Sequence, residues 1–544
     1  MKVETIASQP FEDQRPGTAG LRKTVERFRE PNYLANFVQS IFDELPDLAG
    51  GILVIGGDGR YYNDHAIATI LRMAAANGVQ RAVVGRDGLL STPAASHLIR
   101  QLGAAGGFIL SASHNPGGPE GDFGIKFNVA SGGQASEQLT EAIYRRCLAQ
   151  NRYRLADADA PSLAHTGHHA MGSMTVEIVD PVVDYAGLME RLFDFERIAG
   201  LLRSPDFHML YDARHAITGP YAHDILCARL GLDPACVLNG EPKADFAGLH
   251  PDPNPHDAAD LVARFSGPDS PDFGAASDGD GDRNMILAPG RFVSPGDSLA
   301  LLCAHARSIP AFRDGLAGVA RSMPTSRAVD RVAAALGIPC FETPTGWRFF
   351  CNLLEAGRID LCGEESFGTG SSHVREKDGL WAVLFWLNLV ALHPDRGVNG
   401  LLTDHWKHYG RDYFLREDYF IEDRQQAEEV MGALGERLAS LSRTRIGSGM
   451  ITDADCFDYI DPVDGSESRN QGIRVAFEDA RIVYRLSGTG TRGATLRVYL
   501  EQYQPPAGHL DGDARRVLAP LAQTARDLAR LTDITGLTRP TQQT

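Results

Sequence analysis

Short apolar runs alternate with stretches of helical period through most of this chain. Gly51-Ile52-Leu53-Val54-Ile55 leads into a glycine-rich loop, and apolar positions at helical spacing follow from about His65 to Ala76. Arg81-Ala82-Val83-Val84 comes next, then a helical stretch over about Thr92 to Leu102, then Gly107-Phe108-Ile109-Leu110. That order of strand, helix, strand, helix, strand predicts an α/β layer. The alternation restarts at Phe207-His208-Met209-Leu210-Tyr211, with a helix from Gly219 to Leu230, and reaches Phe273-Gly274-Ala275-Ala276. It restarts again between about Pro295 and His408, where Ile359-Asp360-Leu361-Cys362 runs into a polar, glycine-rich loop. Within that third stretch the apolar run from Gly379 to Leu392 contains Asn388 and is too short for a bilayer, so it predicts a buried helix. After residue 408 the pattern mixes strands (Arg481-Ile482-Val483-Tyr484; Ala494 to Leu500) with an amphipathic helix near Asp513 to Leu531, and the polar tail 538–544 is expected to fray.

Three of these strands end alike, in glycine-rich polar loops at Ser113, Asp278 and Glu364. We therefore expect three similar α/β domains with mixed sheets, their loops facing a central cleft, followed by an α+β domain. The boundaries are placed at 1–182, 183–294, 295–408 and 409–544, consistent with 544 residues at roughly 150 per domain.

Charge narrows the choice of partner. The formal net charge of −17 argues against nucleic acid and anionic membranes, while leaving room for a local basic pocket suited to a small anion. No obligatory protein partner is evident. The amino-terminal segment lacks the apolar core of a signal peptide, and the eight cysteines form no C-x-x-C pair, so reduced thiols, no zinc site and a cytoplasmic setting are expected. Arginine is the default cation: only six of the 53 basic residues are lysine. Two of those six, Lys126 and Lys377, fall inside candidate motifs, and Lys23 adjoins a third; a compact ammonium can do what an always-charged guanidinium cannot.

Ser113 sits in Ser111-Ala112-Ser113-His114-Asn115-Pro116-Gly117-Gly118, after an apolar strand and before a turn signal. The glycines let backbone N–H groups converge on an anion, and Lys126 offers a cation. An acyl-transfer serine would want a Gly-x-Ser-x-Gly elbow, which is absent. In Asp278-Gly279-Asp280-Gly281-Asp282-Arg283, three carboxylates separated by glycines can surround one hard cation. An EF-hand would need Gly and Glu where this chain has Arg283 and Pro289. Gly363-Glu364-Glu365-Ser366-Phe367-Gly368, running on to Arg375-Glu376-Lys377-Asp378-Gly379, offers carboxylate and hydroxyl groups suited to vicinal sugar hydroxyls; a solvated loop is the competing reading. Arg485-Leu486-Ser487-Gly488-Thr489-Gly490-Thr491-Arg492, with Arg497 beyond it, has the makings of an anion nest and lacks the Gly-Lys-[Ser/Thr] ending of a nucleotide loop.

Taken together, these segments resemble the α-D-phosphohexomutases, most closely their glucose-specific phosphoglucomutase branch, from about residue 15 to 503. The resemblance implies reversible interconversion of glucose 1-phosphate and glucose 6-phosphate by an intramolecular phosphotransferase of the isomerase class. It implies a phosphoserine at Ser113, a glucose 1,6-bisphosphate intermediate and activator, and Mg2+ held by Ser113, Asp278, Asp280 and Asp282. It puts His114, Lys126, Arg22, Arg283 and Lys377 at the catalytic centre, with Arg22 and Thr18 coming from the first loop, Gly17 to Lys23. It assigns sugar contacts to Thr345, Gly346, Glu364, Ser366 and Lys377, and the distal phosphate to Arg485, Ser487, Thr489 and Arg497. Arg492 departs from the small residue usual in that loop. Trp347 is equally readable as core or as sugar contact. The alternatives are a mannose or N-acetylglucosamine phosphate mutase of the same fold, a hydrolase, or a non-catalytic paralogue. The general base is open among Lys126, Lys377 and His114.

Overall fold

The structure is a computed structural model that describes residues 1–544 except Thr18, Gly447, Ser448 and 488–492. One strand arrangement recurs three times. In the first unit it is β1 (Ile52–Gly57), β2 (Arg81–Leu89), β3 (Gly106–Leu110) and β4 (Asp122–Val129), with β1 between β2 and β3. In the second it is β5 (Met209–Asp212), β6 (Val237–Leu238), β7 (Phe273–Ser277) and β8 (Asn284–Ala288); in the third, β9 (Val319–Ser322), β10 (Cys340–Thr343), β11 (Leu361–Gly363) and β12 (Thr369–Ser371). Each time the first strand pairs in parallel with the second and third, and the fourth runs antiparallel beside the third. The loops of Ser113, Asp278 and Glu364 are thus the same loop of the repeat, the turn from third strand to fourth.

The strands alternate with helices, as the patterning implies. Helix α1 (Thr92–Leu102) starts at Ser91, whose hydroxyl accepts from the Ala94 N–H, and stops at Gly103 in a left-handed conformation. The segment expected as a helix from Gly219 to Leu230 begins as a helix over Thr218–Ala222 and continues as a π-helix over His223–Arg229. The apolar run at 379–392 is helix α2 (Gly379–Leu392), buried on all sides. It belongs to a core cluster drawn from the first three units, in which Val54, Tyr211, Leu299 and Trp381 all take part.

The fourth unit differs. Its seven-stranded sheet is antiparallel, with β13 (Arg411–Ile421), β14 (Ala480–Ser487) and β15 (Ala494–Gln504) at its centre, and its main core is its own. It meets the third unit through a small apolar patch around Met323, Phe349 and Val483 and through polar links, with Arg481 donating to the carbonyls of Met323 (2.9 Å) and Thr325 (2.8 Å). The tail does not fray. Gln542–Gln543 add a strand to the edge of β13, and Arg416 and Thr544 exchange backbone hydrogen bonds of 2.8 and 2.9 Å. Unpaired N–H and C=O groups on β13 offered the tail partners that its polar sequence does not advertise.

Candidate active site

Ser113 lies just past β3, buried, with φ at 53°, unusual for a residue carrying a side chain. Several neighbours fix it there. Its N–H donates to Ser111 Oγ (2.7 Å), its carbonyl accepts from Arg60 Nη2 (2.8 Å), and its hydroxyl donates to Asp278 Oδ2 (2.8 Å). Arg60 is itself held by Asp58 (2.8 Å) and reaches the Asp122 carbonyl (2.9 Å), while Ser111 Oγ donates to Asp58 Oδ2 (2.6 Å). This buried pair was not singled out from the sequence. Its signal is present in Gly56-Gly57-Asp58-Gly59-Arg60, a strand ending in a glycine-rich polar loop like the other three.

Asp278, Asp280 and Asp282 follow β7 directly, all buried, with carboxylate oxygens within 4.8 Å of one another. Gly279 makes the approach to Ser113 possible, because a Cβ there would stand 2.3 Å from the Ser113 carbonyl oxygen. Asp278 Oδ1 accepts from the backbone N–H groups of Asp282 (3.0 Å) and Arg283 (3.1 Å). Asp280 Oδ2 accepts from Lys126 Nζ (2.5 Å) and Thr92 Oγ1 (2.6 Å), and Lys377 Nζ stands 3.3 Å from Asp282. Burial, then the charges of Asp282 and Asp280, push the Asp278 carboxyl well above the usual carboxylate range. Burial works against ionised Asp280 as well, but the Lys126 ammonium outweighs it and holds that carboxyl low. Asp280 Oδ1 and Asp282 Oδ1 are buried without a hydrogen-bond partner among the described residues. Three clustered hard oxygen donors, two with open valences, suit one divalent cation of the hard kind.

Around that cluster the structure gathers most of the residues expected at the centre. His114 Nδ1 is 3.4 Å from Ser113 Oγ, and burial, followed by the charge of Arg283, drives its pKa well below the usual value, so it is neutral at pH 7. Arg283 Nε lies 3.9 Å from Asp278 and from Asp282, with Asp252 3.4 Å from Nη1. Arg22, on the strand Leu21–Thr24 beside β4, is close enough to interact electrostatically with Asp280, Asp282 and Arg283. Lys23 turns away to Asp13 (3.7 Å).

The loop after β11 adjoins the aspartate loop through a bridge from Gly368 to Arg283 and a bond from the Asn284 N–H to the Phe367 carbonyl (3.0 Å). The Lys377 stem lies over Gly368, where a Cβ would stand 2.3 Å from Cδ. Glu364 Oε1 accepts from the Gly346 N–H (3.0 Å) and Oε2 lies 3.5 Å from Ser366 Oγ; burial raises its pKa. Thr345 Oγ1 is buried without a partner among the described residues. Trp347 belongs to the core, packed with Phe350 and Leu353, so the core reading of that residue holds.

Arg485, Ser487 and Arg497 lie on adjacent strands of the fourth unit's sheet, and the charge of Arg497 is felt at His114. Thr18, Thr489 and Arg492 lie outside the described residues. Two further polar groups were not anticipated: Thr92 on Asp280, and buried Glu376, which accepts from Asn128 (2.9 Å) and Gln134 (3.1 Å). Both pairs act across long stretches of sequence, so no local pattern marks them.

Comparison with known proteins gives family matches along nearly the whole chain. Residues 13–154, 185–290 and 295–409 match the alpha/beta/alpha domains I, II and III of phosphoglucomutase/phosphomannomutase, and 411–541 match the phosphoglucomutase-1 C-terminal domain. A phosphoglucomutase of Rhizobium radiobacter is 51% identical over 540 residues, covering 99% of each chain. One from Schizosaccharomyces pombe is 47% identical over 558 residues, again covering 99% of each. The crystal structure of the Paramecium exocytosis-sensitive phosphoprotein parafusin, a phosphoglucomutase, in its open form, superposes with a TM-score of 0.92 at 44% identity, covering 100% of this chain and 99% of that one.

Proposed function

Because the chain belongs to the phosphoglucomutase/phosphomannomutase family, we propose that it interconverts glucose 1-phosphate and glucose 6-phosphate, carrying the phosphoryl group on Ser113. The observation that carries this reading is the Ser113 hydroxyl, buried and 2.8 Å from the first of three clustered aspartates.

The Ser113 Oγ–P bond breaks as a P–O bond forms to the free sugar hydroxyl, giving glucose 1,6-bisphosphate. After the bisphosphate turns over in the cleft, its other phosphate returns to Ser113. The hydroxyl proton must pass to a base. Lys126 is engaged with Asp280 and Asp282, Lys377 with Asp282, and His114 is the one of the three within 3.5 Å of Ser113 Oγ. We assign to His114 both the uptake of that proton and its delivery to the departing Ser113 oxygen. Asp278, Asp280, Asp282 and the Ser113 oxygen would hold Mg2+, which supplies neutralisation of the phosphoryl oxygens. Arg283, Arg22 and Lys126 supply fixed positive charge around the transferring group. Glu364, Ser366, Thr345 and Gly346 read the sugar hydroxyls with Lys377, and the region from Arg485 to Arg497, including Ser487 and Thr489, grips the distal phosphate. The domain division at 182, 294 and 408 and a cytoplasmic setting belong to the same reading; eight free thiols suit a reducing compartment.

Intact mass of the dephosphorylated protein after incubation with glucose 1,6-bisphosphate tests it. A gain of one phosphoryl group is expected, absent in Ser113→Ala, together with faster turnover of glucose 1-phosphate than of the mannose or N-acetylglucosamine analogue. No gain overturns the mechanism.

A further inference from the structure

On one face of the sheet in the fourth unit, three strands place charges in a row. Asp418 on β13 pairs in register with Arg497 on β15, and Arg497 pairs with Arg485 on β14. Two residues along, Arg416 lies opposite Tyr499 on the same face. The other face is apolar, with Leu415, Tyr419, Leu496 and Val498 in the core. Two arginines directly opposed on neighbouring strands repel unless an anion lies over them. Beside that pair, on the β13 side, a carboxylate meets Arg497 and Arg416: Asp418 Oδ1 is 3.0 Å from Arg416 Nε, and Oδ2 is 3.8 Å from Arg497 Nε.

One carboxylate faces the guanidinium groups of both Arg416 and Arg497, which leaves net positive charge, and the hydrogen bonds are not made. Arg416 Nε, Arg497 Nε and Asp418 Oδ1 are all buried without a hydrogen-bond partner among the described residues. The Asp418 backbone is fixed: β13 lies between β15 and the tail strand, and the Thr541 N–H donates to the Asp418 carbonyl (2.8 Å). The long arginine side chains reach further than the short carboxylate and can re-aim toward an arriving anion. A phosphate offers them more charge and bidentate geometry than one ill-aligned carboxylate does.

We propose that Asp418 is a resident counter-ion of the distal phosphate site, a positioning residue that partly offsets the charge of Arg416 and Arg497 between phosphates and gives them up to an arriving one. It then remains beside the phosphate as a like charge. That keeps binding loose, as a bisphosphate must release this end before it can turn round. The inference rests on the phosphoglucomutase reading of the cleft.

Its test is titration of glucose 6-phosphate into Ser113→Ala, where no phosphoryl transfer intervenes, with and without Asp418→Asn. Removing the carboxylate is expected to tighten binding roughly fivefold, the scale of a single ion pair, and Asp418→Glu to restore the original affinity. With Ser113 intact, Asp418→Asn lowers KM and kcat together, a split that a purely structural role would not produce. Asp418→Ser makes the same removal should the isosteric variant not fold. Unchanged or weaker binding overturns the counter-ion role. That failure is distinguishable from failure of the underlying reading, in which the unsubstituted protein would not isomerise glucose phosphates and Arg497→Ala would leave binding unaffected.

Discussion

Ser113 is held in a left-handed backbone conformation that costs a residue with a side chain about 1–3 kcal/mol. The surroundings over-determine it: Ser111 takes its N–H, Arg60 its carbonyl and Asp278 its hydroxyl. The loop has no slack where it meets Gly279. Gly279→Ala would put a methyl group 2.3 Å from the Ser113 carbonyl oxygen, so one loop must shift by about an ångström. A misplacement of that size costs on the order of 100-fold in rate. The expected result is loss of turnover with a melting temperature close to that of the parent; a fully active variant would show that the spacing of the two loops does not matter.

Elements carry their own liabilities. The helix Gly397–Tyr409 buries His405, whose pKa is pushed down to about 3 by burial first and then by His305 and His408. A depressed histidine pKa means that the unfolded chain binds the proton more readily, so its contribution is intact above about pH 6.5 and is lost as pH falls toward 3. Between pH 7 and 5 the parent should lose on the order of 2 kcal/mol that His405→Gln keeps. Urea midpoints at the two pH values measure it, and parallel losses would refute it. The elements most legible in the sequence were those with strong local pattern: β3, β7 and β11, where an apolar run meets glycine and polar residues, and α2, apolar throughout. The strand Gln542–Gln543 was not legible, because an edge strand with both faces polar needs only the free hydrogen-bonding groups of its neighbour. The Asp58–Arg60 pair was missed for a different reason. The glycine-rich loop that carries it is visible in the sequence, but its targets, the carbonyls of Ser113 and Asp122, are backbone atoms more than fifty residues away, which no side-chain pattern names.

At the scale of the molecule, three units share a core and the fourth has its own. Polar contacts do much of the joining, which favours relative motion over a fixed interface. Arg331 is one such link, donating to Asp412 at 3.0 and 2.7 Å with its guanidinium 3.6 Å from the Tyr503 ring centroid. Arg331→Met leaves the buried Asp412 carboxylate unpaired, at a cost of about 3–5 kcal/mol. In calorimetry the fourth unit should then melt ahead of the rest; a single transition at the parent temperature would show that the link is dispensable.

The recurrence of one loop in three units also bears on how the protein comes into being. Ser113 and Asp278 are separated by 165 residues, and Asn128 and Glu376 by 248. Synthesis runs from the amino terminus and domains fold as units, so the first unit emerges with its serine loop shaped but with no aspartates to receive it. The second brings the carboxylates, the third Lys377 and Glu376. A nascent chain therefore carries the serine before the carboxylates and lysine that surround it, and the site is complete only when the units have docked.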